Sequence, residues 1–169
     1  MEAYEAIISR RSIRKYIKKT LPSFYLEKLL TAAMAAPSAG NQQPWHFIVI
    51  SDRSILDEIP NFHPHSQMLY EAPLAILVCA DTQLETHLGC WVEDCSAATQ
   101  NILLAAHALG LGAVWLGIYL REERTEAIRK MLKLPESVMP LSLIAVGFPA
   151  EKKPPASRYN ENRIHYNEW

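Results

Sequence analysis

Short apolar runs alternate with amphipathic stretches along the chain, and this alternation predicts a mixture of strands and helices. Residues 45–51 and 74–80 are rich in β-branched side chains and bounded by Pro or Asp, so both predict buried strands. Residues 112–119 and 139–148 are apolar runs that predict two more. The pattern therefore predicts four strands.

Helical spacing of apolar residues predicts four helices around these strands. Residues 4–9 form a short first helix, and residues 22–36 form a second that ends at the sequence Pro-Ser-Ala-Gly-Asn. Residues 122–132 are amphipathic. Residues 85–109 carry apolar side chains around most of the circumference, which is the pattern of a long helix buried on nearly all sides. We expect a partner subunit to cover part of this helix.

The remaining segments predict connections and one extended tail. Residues 60–73 are short and irregular, and residues 150–169 are rich in Pro, Asn and charge. Such a tail is expected to pack on the surface or on a partner subunit. Residues 102–120 are long enough to span a bilayer, but three glycines interrupt them and their second half has a strand pattern. We expect residues 1–169 to form a single domain with no membrane segment.

Composition narrows the possible functions. The chain is 49% apolar and 21% charged with a formal net charge of −1, which argues against disorder, nucleic-acid binding and a basic membrane anchor. Small molecules and other protein are the expected partners. Cys79, Cys90 and Cys95 form no disulfide framework, and their apolar surroundings predict reduced, buried thiols. With an acidic N-terminus unlike a secretory signal, they favour the cytoplasm.

A basic cluster follows the first helix. Arg10, Arg11, Ser12 and Arg14 place three guanidinium groups and a hydroxyl within a short stretch. Guanidinium forks match phosphate oxygens, so the cluster is a candidate phosphate site. The alternative is a solvated basic helix end, whose charges interact favourably with the helix dipole. The residues alone leave both interpretations open.

Residues 37–45 combine small side chains, side-chain amides and a tryptophan. Small residues let a ligand approach the backbone closely, and Asn or Gln can satisfy the edge of a heteroaromatic ring. The alternative is a plain connection from helix to strand. Again the residues alone do not decide between a binding loop and a connection.

Other polar groups give weaker signals. The spacing of His87, Cys90, Asp94 and Cys95 matches no common zinc pattern, so we predict packing and no metal site. Histidines 63 and 65 lie in a Pro-bounded segment and are expected to be exposed loop residues, with a place in the lining of the open pocket as the alternative. Tryptophans 91 and 115 are expected in the core. No Ser-His-Asp arrangement is recognisable.

Four motifs, taken together, resemble the nitroreductase family in order and spacing. They are residues 10–14 (RRSIR), 36–45 (APSAGNQQPW), 106–112 (AHALGLG) and 146–149 (VGFP). The resemblance covers nearly the whole chain. It implies an α+β fold with a central, mostly antiparallel sheet flanked by helices, and an obligate homodimer with two FMN sites at its interface.

The same resemblance implies an activity. An FMN-dependent oxidoreductase would take electrons from NAD(P)H and pass them, in a second step, to a small organic acceptor such as a nitroaromatic or a quinone. The cofactor carries the hard chemistry, while the protein holds it and places positive charge where the flavin becomes negative on reduction. The alternative is an FMN-binding redox sensor or flavin storage protein without efficient turnover.

Site residues follow from the resemblance position by position. Arg10, Arg11 and Ser12 match phosphate and ribityl contacts, and Arg158 matches a further phosphate-binding residue. Arg14 matches the cation beside flavin N1 and O2. The family also uses a loop that reaches the flavin from the other subunit, and the matching residues are Pro37, Ser38, Ala39 and Asn41. The residues that match the backbone near flavin N5 are Leu116, Gly117 and Ile118.

Arg14 and Gly117 match positions at the reacting part of the flavin and are the expected catalytic residues.

The sequence departs from the family pattern twice. Ala156 stands where many relatives carry a second basic residue, so the phosphate should depend more on residues 10–14. Residues 60–73 are too short for the helical insertion that covers the flavin in larger relatives. The substrate face should therefore be open or covered by the partner's tail.

Overall fold

A four-stranded sheet lies at the centre of the structure, a computed structural model that describes all 169 residues. Its strands are β1 (Trp45–Ile50), β2 (Leu74–Asp81), β3 (Gly112–Gly117) and β4 (Val138–Gly147), in the spatial order β1-β2-β4-β3. Each neighbouring pair is antiparallel. The four predicted strands are all present, and the predicted α+β fold with a mostly antiparallel sheet is confirmed.

Five helices flank this sheet. They are α1 (Ala3–Ser9), α2 (Ser23–Met34), α3 (Arg53–Glu58), α4 (Trp91–Ala108) and α5 (Glu122–Leu132). The bounds of α1, α2 and α5 agree with the predicted helices to within a few residues. None of the five combines the length and hydropathy of a membrane-spanning segment.

Helix α4 is shorter than predicted, because it begins at Trp91 and not at residue 85. Gly89, with φ at +84°, turns the chain just before the helix. The Glu85 carboxylate accepts hydrogen bonds from the backbone N–H groups of Gly89 (2.9 Å) and Trp91 (3.2 Å). Glu85 therefore caps the start of α4 from outside it.

The hydrophobic pattern did not predict α3, which is too short to show a helical repeat. The Asp52 carboxylate caps it by accepting from the Ser54 backbone N–H at 2.9 Å, and Leu56 anchors it in the core. Two 3-10 turns, at Ile59–Asn61 and Gln67–Tyr70, complete the connection to β2. This connection contains no long helical insertion, as predicted.

The sheet separates two apolar cores, because alternate residues of β2 point to opposite faces. On one face α2 and α4 contribute Leu29 and Ile102, both fully buried. On the other face α3 and α5 contribute Leu56 and Ile128, also fully buried. Burying each such side chain stabilises the fold by about 1.5–3 kcal/mol.

Helix α4 is covered by the sheet and by α2, and only Glu93 and Ala108 along it are exposed. The prediction of a long helix buried on nearly all sides is confirmed. A stripe of partly accessible side chains nevertheless runs along it through Ala97, Gln100 and Leu104. Residues spaced in this way share one face of a helix, so this face of α4 remains available to a partner.

The C-terminal tail is exposed along nearly its whole length. Every residue from 152 to 169 is exposed, including Tyr159, Tyr166 and Trp169. After Pro154 its hydrogen bonds are all local, within the short turn at Glu161–Arg163. The Trp169 ring stacks on the ring of His165, with centroids 4.5 Å apart.

Candidate functional site

The basic cluster lies where the end of α1 meets the start of β3. After Ser9 the chain becomes extended, and the Ile13 backbone N–H donates to the Ala113 carbonyl at 3.0 Å. Gly112 permits this approach, because a Cβ on it would lie 2.7 Å from the Ile13 Cγ2 atom. Ser12 is therefore held beside Ala113 as an extra parallel bridge.

The guanidinium groups of Arg10 and Arg11 contain buried donors without a partner. These donors are Arg10 Nε and Arg11 Nη2. Burial lowers the pKa of Arg10, and the nearby charges of Arg158 and Arg11 lower it further. Arg158, in the tail, therefore lies close enough for its charge to act on Arg10. Unpaired N–H groups among like charges are what a bound oxyanion would satisfy.

Arg11 also has a structural role within the protomer. Its Nε donates to the Pro154 carbonyl at 3.1 Å, and its Nη1 donates to the carbonyls of Ile8 (2.9 Å) and Arg10 (2.6 Å). These bonds tie the end of α1 to the beginning of the tail. Only Nη2 is left for a ligand.

Arg14 is exposed, and its guanidinium has no hydrogen bond or ion pair within the protomer. Its backbone N–H donates to the Glu151 carboxylate at 2.5 Å, which lowers the pKa of that carboxyl group. Lys153 pairs with Glu151 at 3.5 Å and also donates to the Ser12 carbonyl. Glu151 is therefore occupied, and the charge of Arg14 is free to act on a ligand.

The loop between α2 and β1 is fastened to the start of α4. Asp94, a buried carboxylate on α4, accepts from the Ala39 backbone N–H at 2.8 Å and from Gln42 Nε2 at 2.6 Å. The other side of the Gln42 amide accepts from the backbone N–H groups of Thr86 and His87, both at 2.9 Å. One carboxylate and one amide thus fix the loop in place.

Inside this loop the backbone is tightly turned. Gly40, Asn41 and Gln43 all have positive φ, at 52°, 57° and 48°. Ser38 Oγ accepts from the Gln43 backbone N–H, and Asn41 Oδ1 accepts from Gln43 Nε2. Pro37 and Asn41 remain exposed. The loop is thus a shaped, exposed surface, and its side chains form no hydrogen bond with residues 10–14 of the same protomer.

The two predicted halves of the site lie at opposite ends of α4. Asp94 holds the loop near the N-terminus of the helix, and His107 Nε2 contacts Ser9 Oγ at 2.7 Å near its C-terminus. From Asp94 to His107 an α-helix rises about 20 Å. Within one protomer the structure therefore brings together residues 10–14 and Arg158 but leaves the loop of residues 37–41 apart from them.

Gly117, at the end of β3, is exposed between the buried residues Leu116 and Ile118. A Cβ on Gly117 would meet no atom within 4 Å, so open space adjoins its backbone. From Ala113, beside Ser12, a strand extends about 13 Å to this point. Trp115 is 36% exposed on the same edge strand, so its predicted place in the core was wrong. β3 lies at the edge of the sheet.

Sequence reasoning missed His63, which was expected to be exposed and is 1% exposed. Its Nε2 lies 3.1 Å from the Gly117 carbonyl, and Arg124 Nη1 donates to the same oxygen at 3.1 Å. Burial lowers the pKa of His63, and the Arg124 charge lowers it further. His65 is exposed, as predicted. The apolar residues on either side of His63 were the available signal that this segment packs inward.

The cysteines separate into two kinds. Cys79 and Cys95 are buried, and burial raises the pKa of each thiol to about 12. Cys90 is only partly buried, so the prediction that all three are buried was wrong at that position. It immediately precedes α4, where the chain is still near the surface. No group of three or more His, Cys, Asp or Glu side chains has the geometry to hold a metal ion.

Comparison with known proteins places this geometry in a family. The model of the family described as "Nitroreductase family" matches residues 7–81 and 62–148. The chain is 50% identical over 169 residues to a protein of Methanothermobacter thermautotrophicus with the provisional name NADH dehydrogenase/NAD(P)H nitroreductase. That match covers 100% of this chain and 88% of the relative.

Solved structures agree with this sequence similarity. A protein of the same provisional name from Parabacteroides distasonis has a TM-score of 0.95 and 44% identity, covering 99% of this chain and 98% of that one. A provisionally named nitroreductase from Desulfovibrio desulfuricans, solved in complex with FMN, has a TM-score of 0.86 and 30% identity, covering 100% and 98%. Because the family model spans most of the sequence and the fold is shared from end to end, this chain belongs to the nitroreductase family.

Proposed function

We propose that this chain is an FMN-dependent oxidoreductase that takes electrons from NAD(P)H and passes them, in a second step, to a small organic acceptor. The observation that carries the proposal is the pair of buried, unpartnered guanidinium donors on Arg10 and Arg11, with Arg158 beside them. The FMN bound to one relative and the NAD(P)H in the names of others support it. Bound FMN would supply the hydride-accepting chemistry that side chains lack.

The basic cluster fits the phosphate of FMN. A phosphomonoester carries about −1.5 to −2 charges at neutral pH and accepts several hydrogen bonds. Arg10, Arg11 and Arg158 supply unpaired charge, and the Ser12 hydroxyl has no partner within the protomer. Each buried donor left unpaired costs about 1–3 kcal/mol, so a phosphate here would stabilise the folded chain.

The end of β3 fits the ring of the flavin. Its backbone at Leu116, Gly117 and Ile118 borders open space in which a flat ring can lie without meeting a side chain at the glycine. Arg14, whose guanidinium is unpaired, is proposed to place positive charge by the part of the ring that becomes negative on reduction. Gly117 and Arg14 are therefore the residues proposed to act on the reaction itself.

A homodimer is required to complete this site. The loop containing Pro37, Ser38, Ala39 and Asn41 is shaped and exposed, yet it is held about 20 Å along α4 from the basic cluster of its own protomer. We propose that it serves the flavin of the second subunit. The partly accessible face of α4 and the exposed aromatic residues of the tail supply a surface for that subunit.

The proposed acceptor is a small flat molecule such as a nitroaromatic or a quinone. No helical insertion covers this region, and a groove of about 340 Å³ lies between Phe62, Pro64 and the start of α5. Arg124, which bonds to the Gly117 carbonyl, lines this groove. The acceptor would therefore reach the flavin beside Gly117.

The second candidate function is an FMN-binding redox sensor or storage protein, which binds FMN without efficient turnover.

The cytoplasm is the proposed location. Cys79, Cys90 and Cys95 are all unpaired, and free thiols of this kind persist in reducing compartments. The cytoplasm also supplies the nicotinamide donor that the proposed reaction consumes.

Spectroscopy of the purified protein tests the proposal. We expect a flavin absorption spectrum, or uptake of added FMN by colourless protein, and weaker uptake of FAD because its diphosphate lacks a dianionic end. Steady-state oxidation of NAD(P)H with an added quinone or nitroaromatic then separates an enzyme from a sensor. Protein that takes up no FMN contradicts the proposal, and loaded protein that does not oxidise NAD(P)H supports the storage alternative.

A further inference from the structure

We infer that His63 and Arg124 are positioning residues that hold the Gly117 backbone for the cofactor. This inference rests on the proposed function, since it concerns the same site. Neither residue belongs to the motifs that the sequence shares with the nitroreductase family. Both lie outside β3, on the 59–70 connection and on α5, and they converge on one carbonyl oxygen.

The peptide group between Gly117 and Ile118 is held from both sides. Its carbonyl oxygen lies 3.1 Å from His63 Nε2 and accepts from Arg124 Nη1 at 3.1 Å. Its N–H donates to the Leu141 carbonyl at 3.2 Å. Glycine has the widest choice of backbone conformations, and no side chain of its own packs here. Three external hydrogen bonds therefore fix a peptide that glycine would otherwise leave free.

The surroundings of His63 determine its tautomer. The His65 backbone N–H points at Nδ1 at 3.3 Å, so Nδ1 is an acceptor and the ring proton lies on Nε2, which then donates to Gly117. The His63 carbonyl accepts from the Ser66 backbone N–H at 3.0 Å and from Ser66 Oγ at 2.7 Å, and the His63 N–H donates to the Ile59 carbonyl. Hydrogen bonds within residues 59–66 thus hold both the backbone and the ring of His63.

Charge around the ring favours this neutral form. Arg124 on α5 faces the ring, His65 lies edge-on with ring centroids 6.3 Å apart, and together with burial they lower the pKa of His63. The other charged side chains on this side, Arg121, Glu122 and Glu123, line the adjoining groove. A second proton would remove the acceptor at Nδ1 and add a positive charge beside Arg124.

The arrangement gives the site a backbone that is positioned before the cofactor binds. Preorganised dipoles cost no reorganisation when the charge of a reacting group changes. Protonation of His63 should disrupt the arrangement at acid pH. The rate of flavin reduction should therefore fall below the His63 pKa, which lies under the ordinary value of 6.5.

The test compares FMN-saturated wild type with His63→Gln and His63→Leu. Glutamine can place an N–H near the position of Nε2, whereas leucine fills space without a donor. The measurements are the midpoint potential of bound FMN and the pH profile of anaerobic flavin reduction by NAD(P)H. We expect His63→Leu to shift the potential and slow reduction on the order of tenfold, as for one lost hydrogen bond. His63→Gln should keep most of the rate and lose the acid decline.

His46→Gln is the matched control, because His46 is exposed on β1 and has no hydrogen bond through its ring. NMR of the wild-type imidazole nitrogens provides a readout that needs no variant, with the proton expected on Nε2 and a pKa below 6.5. Loaded His63→Leu with wild-type potential, rate and pH profile overturns the inference, as does a proton found on Nδ1. Wild type that binds no FMN contradicts the proposed function instead.

Discussion

At the scale of single residues, the arginines of the basic cluster differ in what already holds them. Arg11 donates through Nε and Nη1 to backbone carbonyls, whereas Arg10 is half-buried near Arg158 and its buried Nε has no partner. Arg14 is exposed and its guanidinium has no partner. These arginines should therefore contribute to different properties of the loaded protein, although the sequence presents them as one motif.

Arg14→Ala and Arg10→Ala should consequently behave differently. The charge on a phosphate is the same before and after reduction, whereas the flavin ring becomes negative only when electrons arrive. We expect Arg10→Ala to weaken FMN affinity, and Arg14→Ala to lower the midpoint potential and slow reduction by about 10²-fold. FMN titration and anaerobic stopped-flow measure the two effects, with Lys130→Ala, on the exposed side of α5, as control. Reduction of loaded Arg14→Ala at the parent rate and potential would disprove its role.

Substitutions at two glycines should separate an effect on stability from an effect on FMN binding. Gly117→Ala should fold with parental stability, because its Cβ would meet nothing within 4 Å, yet FMN affinity should fall because the methyl group enters the proposed ring space. Gly112→Ala is the contrasting variant, since its Cβ would lie 2.7 Å from Ile13 Cγ2. Such overpacking costs about 1–3 kcal/mol. Urea unfolding measures the stability of each variant, and FMN titration measures its affinity. Unaltered FMN binding by Gly117→Ala would show that the flavin ring lies elsewhere.

At the scale of secondary-structure elements, one buried carboxylate couples the α2–β1 loop to α4. Asp94 accepts two hydrogen bonds from the loop, while its neighbour Glu93 is exposed on the same helix. If the carboxylate or its donors lost their partners in this buried position, the folded state would be destabilised. The loop therefore owes its conformation to a helix that follows it by some fifty residues in the sequence.

Asp94→Asn should therefore destabilise the protomer and loosen the loop. The amide keeps one acceptor oxygen but turns an NH₂ group toward one of the two donors, which should lower the free energy of unfolding by about 1–3 kcal/mol. Urea unfolding measures the stability, and hydrogen exchange of residues 38–43 measures the loop. Glu93→Gln makes the same change on the exposed face and should alter neither. Equal effects of the two substitutions would contradict the proposed coupling.

At the scale of the whole molecule, the two groups of residues proposed to hold one flavin lie apart in a single protomer. The loop and the basic cluster are separated along α4, and the tail carries Tyr159, Tyr166 and Trp169 into solvent. In the proposed homodimer, the loop of each copy serves the basic cluster of the other. The division of the site between the two ends of one helix is thus the physical argument for a dimer.

We accordingly expect a homodimer that persists on dilution, since interfaces of the obligate kind bury more than about 2,000 Å² in total. Sedimentation equilibrium of the FMN-loaded protein measures its mass. Removing residues 155–169, which are wholly exposed in the protomer, should weaken both dimer formation and FMN retention. A stable monomer with bound flavin would show that one protomer completes the site alone.

The sequence by itself determined most of the secondary-structure elements and identified candidates for the ligand site. Runs of apolar and β-branched residues located all four strands, the apolar circumference of residues 85–109 identified the central helix, and the arginines around Ser12 formed a candidate phosphate site. These features depend on neighbours along the chain, so local pattern and side-chain chemistry are sufficient to find them. The short helix α3 and the late start of α4 escaped the pattern, because caps such as Asp52 and Glu85 set their bounds.

Only the tertiary structure decided which residues meet. His63 was expected at the surface, but it is buried and its Nε2 lies 3.1 Å from the carbonyl of Gly117, 54 positions along the chain. Trp115 is accessible because β3 lies at the edge of the sheet, which no local pattern records. The separation of the loop from the basic cluster likewise follows from the length of α4. Such relations depend on how distant segments pack, and packing is fixed by the fold as a whole and not by hydrophobic period.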